Sequence, residues 1–177
     1  TIKSLITNNG KLLAEGGTIQ LSAQTADSLS MGAVNTGQSS EIIATSYKNQ
    51  SGKVVIGGSS NNYVQLAGKI DVSGKKTTSP SGTVSVKAKN VYQGGNIHAN
   101  GNDGGQINIL SEDILVLDGK MEAIGKNGNG GSLIVMSENS LFSSPDNSLD
   151  VSGKKKGGVI RSTSKNFNFA SGSYKAN

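Results

Sequence analysis

A short glycine-containing pattern recurs along the chain and restricts its fold more than any other feature of the sequence. The pattern is Gly-x-Φ-x-Φ-x-small-x-polar, where Φ is an apolar residue. Six copies share this register, and they begin at Gly17, Gly52, Gly82, Gly105, Gly131 and Gly158. Most of these starts lie roughly 22 to 30 residues apart. Self-similarity at a period of this size indicates a stacked repeat architecture.

A second pattern, Gly-x-Φ-x-Φ-x-Gly, alternates with the first one. Its copies begin at Gly10, Gly68, Gly95, Gly119 and Asn147, with shortened forms over residues 32–37 and 172–177. Weaker apolar stretches fill the remaining intervals, at residues 91–92, 114–117, 141–142 and 167–169. Three apolar stretches in each repeat predict a coil with three sides.

Apolar and polar residues alternate inside both patterns, which is the periodicity of a strand with one buried face. Each run ends after a few residues at Gly or Asn, where we expect the chain to turn. No segment keeps a helical period, so helices are not expected. The sequence therefore predicts an all-β fold: a single-stranded right-handed parallel β-helix, which is a three-sided solenoid of about seven coils of roughly 22–30 residues.

Equivalent residues of the first pattern are predicted to form one inward-facing column. Its members are Ile19, Val54, Val84, Ile107, Leu133 and Ile160, neighbours on consecutive coils except across an insertion. We place that insertion, a protruding loop or hairpin, over residues 38–50, because the interval from Gly17 to Gly52 is too long for one coil. Since the chain begins and ends in mid-pattern, we interpret residues 1–177 as a single β-helix segment of a longer protein.

Composition is compatible with such a repeat but does not establish it. Gly accounts for 25 of the 177 residues, about twice its usual share of roughly 7%. Aromatic residues make up only 4%. A disordered linker would have a similar composition, but it would lack the periodicity.

The absence of cysteine excludes disulfides and thiolate metal sites, and no apolar run approaches the 18 or so residues of a membrane span.

The ninth position of the first pattern is polar in every copy. It holds Thr25, Ser60, Asn90, Asp113, Asn139 and Asn166. These side chains should stack at one turn, where Asn tolerates the backbone angles and amides can bond from coil to coil. We favour a structural polar ladder of Asn90, Asp113, Asn139 and Asn166 over the alternative of a polar binding site.

Six lysines lie just past the closing glycine of the second pattern, and the solenoid should align them along one edge. We call Lys75, Lys76, Lys126, Lys154, Lys155 and Lys156 the lysine edge. It could contact an extended polyanion, such as a sulfated or phosphorylated glycan, or only prevent sideways sheet association. Nucleic acid is not an expected partner, because no aromatic platform accompanies the lysines.

No motif for catalysis or metal binding stands out. The only histidine, His98, has no nucleophile motif near it. Glycoside hydrolysis needs two carboxyl groups within about 5 to 10 Å, whereas the acidic residues look scattered: Asp71, Asp103, Asp118, Glu122 and Asp150. A turn at residues 100–105 has the composition of a calcium loop, but a calcium-binding repeat would place one in every coil. We expect no enzyme, no cofactor and no metal, with a polysaccharide-degrading enzyme as the alternative.

Three segments resemble a known family: GKIDVSGKK at 68–76, GGNIHANGNDGGQINIL at 94–110 and LDVSGKKKGGV at 149–159. They are similar to repeats of filamentous-haemagglutinin-like adhesins, which are exported by two-partner secretion. The resemblance implies a long right-handed β-helix, secreted to the bacterial cell surface through an outer-membrane barrel. It further implies a stalk that mediates or presents adhesion, with surface glycans and lateral or end-to-end association of rods as further interactions. The alternatives are a direct glycan- or polyanion-binding segment and a phage tail-spike-like fibre.

Overall fold

The computed structural model describes residues 2–23, 31–58, 62–76 and 78–177. These residues form strands joined by turns, and no helix among them is long and apolar enough to cross a membrane. The strands are β1 (Ile2–Asn8), β2 (Lys11–Leu13), β3 (Thr18–Ala23), β4 (Met31–Thr36), β5 (Glu41–Ile43), β6 (Lys53–Gly58), β7 (Asn62–Leu66), β8 (Lys69–Asp71), β9 (Thr83–Gln93), β10 (Asn96–His98), β11 (Gln106–Leu117), β12 (Lys120–Glu122), β13 (Ser132–Ser137), β14 (Ser140–Ser143), β15 (Ser148–Asp150), β16 (Val159–Ser164), β17 (Phe167–Phe169) and β18 (Ser173–Lys175).

The strands stack into three parallel faces. The first face contains β3, β6, the first half of β9, the first half of β11, β13 and β16. The second face contains β1, β4, β7, the second halves of β9 and β11, β14 and β17. The third face contains β2, β5, β8, β10, β12, β15 and β18. The chain visits the second, third and first faces in turn, which confirms a parallel β-solenoid. It has about six turns rather than the expected seven.

The predicted inward column is present in full. Each member pairs with its neighbour on the next coil, in the order Ile19, Val54, Val84, Ile107, Leu133 and Ile160. The four central side chains are completely buried, while Ile19 and Ile160 at the two ends are partly buried and pack against the same core. Ile19 pairs directly with Val54, so no insertion separates their coils, contrary to the exception that we allowed.

One copy of the second pattern lies elsewhere than predicted. Residues 32–37 belong to β4 and its end, and β4 is on the second face, where it pairs with β1 and β7. The third-face strand of that coil is β5, in which Ile42 pairs with Leu12 and Ile70. Ser40 stands where the other copies have Gly or Asn, and this substitution hides β5 from a search for the pattern.

The segment at 38–50 is therefore not a single protruding loop. Its first half is β5, and Ile42 and Ala44 are completely buried in the core. Only the second half forms a small turn, closed by an antiparallel bridge between Tyr47 and Gln50, with Lys48 at a φ of 52°. The additional length of this coil is thus partly a strand of the regular fold and partly an enlarged turn.

The glycine that opens the first pattern has a steric cause. A Cβ added at Gly105, Gly131 or Gly158 would overlap the carbonyl oxygen of the equivalent glycine on the preceding coil. That oxygen accepts a hydrogen bond from the residue after each glycine, as when Ser132 N donates to Gly105 O over 2.9 Å. The backbones of consecutive coils therefore meet at this corner too closely for any side chain.

The burial pattern predicts very different effects for two adjacent residues of β11. Ile107 is completely buried, so we expect Ile107→Ala to lower the free energy of unfolding by about 2 to 5 kcal/mol. Gln106 points outward, and Gln106→Ala should change it by less than about 0.5 kcal/mol. Denaturant titrations of both variants measure the difference. Equal losses would contradict the inward and outward assignment.

Candidate functional site

The lysine edge lies in the turns that connect the third face to the first. Parallel bridges join Gly101 to Gly125 and Gly125 to Gly153, so these turns stack like the strands beside them. The stacking continues past the glycines, since Lys126 N donates to Gly101 O over 2.8 Å and Lys154 N donates to Gly125 O over 3.0 Å. All six lysines of the edge are exposed. The structure thus places them on one side of the rod.

One acidic turn interrupts the lysine edge. The coil between Lys76 and Lys126 carries Asp103, which is exposed. Its Oδ1 accepts a hydrogen bond from Asn129 N over 2.8 Å, and its Oδ2 accepts one from Asn102 Nδ2 over 3.0 Å. Both carboxylate oxygens of Asp103, in the turn that we compared with a calcium loop, therefore accept hydrogen bonds from protein groups. The lysine edge consists of two groups, with the larger one at Lys126 and residues 154–156.

The smaller group borders a cleft of about 430 Å³. Lys75 forms an ion pair with Glu15 across it. Lys48 and Tyr47 line the same cleft, and Lys48 Nζ lies 5.5 Å from the centroid of the Tyr47 ring. Sequence reasoning did not add Lys48 to the lysine edge, because we had assigned its segment to an insertion outside the regular coils.

The turns between the third and first faces contain the whole charge excess of the protein. They hold seven lysines, which are the lysine edge and Lys48, and two acidic residues, Glu15 and Asp103. Their net charge of +5 equals the formal net charge of the entire chain, which has 17 basic and 12 acidic residues. The remaining ten basic and ten acidic residues cancel, so the net positive charge of the chain is carried by these turns.

The polar ladder lies at the opposite corner, between the first and second faces. Asn166 Nδ2 donates to Asn139 Oδ1 over 2.9 Å, and Asn139 Nδ2 donates to Asp113 Oδ1 over 2.8 Å. Asn90 bonds to the backbone instead, as its Oδ1 accepts a hydrogen bond from Ile114 N over 3.1 Å. Thr25 and Ser60 lie outside the described residues. Side-chain hydrogen bonds thus connect Asp113, Asn139 and Asn166 from coil to coil.

Serines two residues before the ladder strengthen the same corner. Ser137 Oγ donates to Asp113 O over 2.7 Å, and Ser111 Oγ donates to Lys89 O over the same distance. Both serines are buried. Each hydroxyl thus satisfies a carbonyl oxygen of the preceding coil at a place where the strand bends and the regular register shifts. The small residues at the seventh position of the first pattern, Ser111 and Ser137, therefore also supply hydrogen bonds at this corner.

Acidic residues that looked scattered in the sequence form a row on the outside of the third face. The register aligns Asp71, His98, Glu122 and Asp150 on four consecutive strands. His98 Nδ1 lies 3.1 Å from Glu122 Oε2, and Asn100 Nδ2 donates to the same oxygen over 2.9 Å. Glu122 and Asp150 are direct register partners, about 4.8 Å apart in backbone spacing.

The row differs from a metal centre. Among the described residues, no group of three or more His, Asp and Glu is arranged to hold a metal ion. Burial alone would raise the pKa of Asp71, but hydrogen bonds from Ser73 and Lys69 outweigh it and lower the pKa. Lys69 Nζ lies 3.2 Å from Asp71 Oδ2. Each carboxylate of this row therefore accepts a hydrogen bond from a protein donor, and Asp71 is also paired with a lysine.

Comparison of the chain with protein-family models, with curated proteins and with solved structures found no match. The lysine edge, the polar ladder and the acidic row are three separate surfaces of the solenoid.

The hydrogen bonds of Asn139 predict that this residue stabilises the rod. Asn139→Ala would leave Asp113 and Asn166 without their amide partner, and we expect a loss of about 1 to 3 kcal/mol in unfolding free energy. Asn96→Ala is the matched control, because Asn96 is exposed on β10, and it should cost less than about 0.5 kcal/mol. Chemical denaturation measures both. A loss no larger for Asn139 than for Asn96 would show that the ladder does not stabilise the fold.

Proposed function

We propose that this chain is a β-helical stalk segment of a large secreted bacterial surface adhesin. The observation that carries the proposal is the parallel ladder of about six turns, in which each interior strand bonds to a neighbour on both sides. The resemblance of residues 68–76, 94–110 and 149–159 to adhesin repeats supports the same assignment. Such a rod mediates adhesion by holding a binding region away from the cell surface.

The stacked coils explain how the chain could act as a stiff spacer. Each coil adds about 4.8 Å of length, and its inward side chains are covered by the coils on both sides. Bending the rod would separate backbone hydrogen bonds on one face and compress the core on another. Stiffness therefore follows from the continuous ladder and requires no separate domain.

Export through an outer-membrane barrel is part of this proposal. Each coil contacts mainly its neighbours, so a chain that emerges in an extended form could fold coil by coil on the part already outside. The sequence contains no cysteine, so this folding would need no disulfide formation. The barrel is the secretion partner that the family resemblance implies.

We also propose that the segment is not catalytic. Glu122 and Asp150 are close enough for a carboxylate pair, but both project from the same side of one sheet. The two carboxyl groups of a glycosidase flank the scissile bond from opposite sides. A substrate lying on the third face would have the carboxyl groups of Glu122 and Asp150 on the same side of its scissile bond. The hydrogen bonds of Glu122 to His98 and Asn100 fit a structural role better.

Removal of one coil tests the stalk assignment. Deleting residues 105–130 brings Gly131 into the place of Gly105, so β13 should stack on β9 in the original register. We expect bacteria that express this variant to keep antibody labelling on intact cells and to keep adhesion, because only about 4.8 Å of rod is lost.

Deletion of residues 105–117 is the matched control, since it removes half a coil and destroys the register of the following strands. This variant should lose the part of its β-sheet circular dichroism signal that comes from the coils after the deletion, and it should lose its surface labelling. If the variant without residues 105–130 is folded and surface-exposed but has lost adhesion, the segment itself binds directly. Labelling only after permeabilisation of cells that express the unaltered protein would contradict a surface location.

A second function, polyanion binding by the lysine edge, is favoured by the concentration of charge on that side. Lys126 and Lys154 lie on adjacent coils, about 4.8 Å apart in backbone spacing. This spacing is shorter than the Debye length of about 8 Å at physiological salt, so their fields overlap. An extended sulfated or phosphorylated glycan could therefore follow the turns without a pocket.

Substitution of the six lysines separates binding from solubility. The edge variant changes Lys75, Lys76, Lys126, Lys154, Lys155 and Lys156 to Gln. The control changes six exposed lysines elsewhere, namely Lys11, Lys53, Lys87, Lys120, Lys165 and Lys175. Both lose six charges, yet only the edge variant should lose retention on a heparin column at about 50 mM salt. If both variants lose heparin retention equally, or if the unaltered chain is not retained, the lysine edge would have a role in solubility alone.

A further inference from the structure

The aromatic residues of this protein are concentrated on the outside of one face. The chain has four Tyr, three Phe and no Trp, and none of the buried core residues in the described part is aromatic. Tyr63, Tyr92 and Phe142 alternate with buried residues on strands of the second face and therefore project outward. Phe167 and Phe169 are exposed on β17, in register with the outward residues Ser140 and Phe142. We call Tyr63, Tyr92, Phe142, Phe167 and Phe169 the aromatic face.

The strand register arranges these rings in two adjacent columns. Tyr92, Val116, Phe142 and Phe169 follow one another on four consecutive coils. The neighbouring column contains Tyr63, Ile114 and Phe167, with smaller polar residues between them. The centroids of the Phe142 and Phe167 rings lie 5.2 Å apart, and Phe142 is 40% exposed. The rings of Phe142 and Phe167 thus pack together, and Phe169 is the register partner of Phe142, at the end of the rod that β14 and β17 occupy.

The aromatic face carries no charge of its own. The second-face segments 62–66, 90–93, 114–117, 140–143 and 167–169 contain no Asp, Glu, Lys or Arg. This is the opposite of the lysine edge, where the net charge of the protein is concentrated. An uncharged, solvent-exposed aromatic surface fits an uncharged partner, because a charged group placed on it would lose hydration without gaining an ion pair.

The size of the aromatic face argues against a second copy of the chain as that partner. From Tyr92 to Phe169 the column spans three strand spacings, about 14 Å, and two outward residues on one strand lie about 7 Å apart. A patch of this length and width covers on the order of 100 to 200 Å², whereas a stable protein–protein interface covers about 800 Å² on each partner. A narrow linear ligand fits the surface better.

Hydrogen-bonding groups border the rings on both sides. Tyr92 OH donates to Asp118 Oδ2 over 2.9 Å, just beyond the end of the second-face strand. Hydrogen bonds from Ser144 and Tyr92 lower the pKa of Asp118, so its carboxylate remains an acceptor at neutral pH. At the other border stand the amides of Asn139 and Asn166. A sugar ring has the matching chemistry, since its C–H groups can stack on aromatic rings while its hydroxyls reach groups at the sides.

We propose that the aromatic face binds a neutral, extended glycan whose sugar rings stack on Tyr92, Phe142 and Phe169 along the rod. The glycan runs parallel to the solenoid axis, because the rings follow one another from coil to coil. Tyr92 and Phe142 lie two coils apart, about 9.5 Å, which suits alternate sugars of a β-linked chain. This site is independent of both the stalk assignment and the lysine edge.

Calorimetric titration of the intact chain with cellohexaose, chitohexaose and laminarihexaose tests the proposal. These hexasaccharides are uncharged, and high salt in the buffer removes any contribution of the lysine edge. We expect at least one to bind at millimolar or lower concentration. The double variant Tyr92→Thr with Phe142→Thr should weaken that binding about tenfold or more, since two stacking rings are lost. Thr keeps the strand preference of these outward positions.

Two control variants make the result specific to the aromatic face. Tyr47→Thr removes an aromatic residue that is 50% exposed in a turn away from this face, and it should leave hexasaccharide binding unchanged. Tyr92→Phe keeps the ring but loses the bond to Asp118, so it should retain most of the affinity. The six-lysine variant should also bind the hexasaccharide normally while it loses heparin.

Two results would overturn the proposal. One is the absence of binding to all three hexasaccharides by the unaltered, folded chain. The other is binding that the double variant does not weaken although its circular dichroism matches that of the unaltered chain. Sedimentation velocity tests whether a second copy of the chain occupies the aromatic face instead. If the unaltered chain binds no hexasaccharide but self-associates, and the double variant abolishes this self-association, the aromatic face would be assigned to contacts between copies.

Discussion

Backbone hydrogen bonds between consecutive coils are the constraint on which the rest of this structure depends. They hold equivalent residues about 4.8 Å apart on every face, and they bring the chain so close at one corner that Gly105, Gly131 and Gly158 leave no space for a Cβ. Once this spacing is fixed, each position of the repeat becomes a column. Inward columns must then be apolar, and corner columns must satisfy carbonyl oxygens, as Ser111 and Ser137 do.

The same stacking turns a weak local property into an extended surface. A single lysine in a turn has little effect in water, but stacked turns place the entire net charge of +5 on one side of the rod. A single exposed Phe is equally ordinary, whereas Tyr92, Phe142 and Phe169 in register form a stripe. Both proposed binding surfaces are products of register.

The sequence predicts inward residues better than relationships between turns. Alternation identifies the column from Ile19 to Ile160, because burial acts on every residue of a strand. The link between the third and first faces, however, has four residues after β2 and eleven after β8. Such variation conceals which turn residues meet, so the position of Asp103 within the lysine edge could not be foreseen. The strand β5 was missed for a local reason, since Ser40 replaces the expected glycine.

The narrow core also explains why aromatic residues lie outside rather than inside. Opposite walls of a β-structure are about 10 Å apart, and three walls that converge on one interior leave room for Val, Ile, Leu, Met and Ala, which make up the buried apolar set. A ring in an inward column would have to displace side chains on the coils above and below as well as across the core. Outward positions have no such restriction. Surface columns can therefore acquire rings or charges while the inward columns keep the fold, which allows one scaffold to carry two chemically different surfaces.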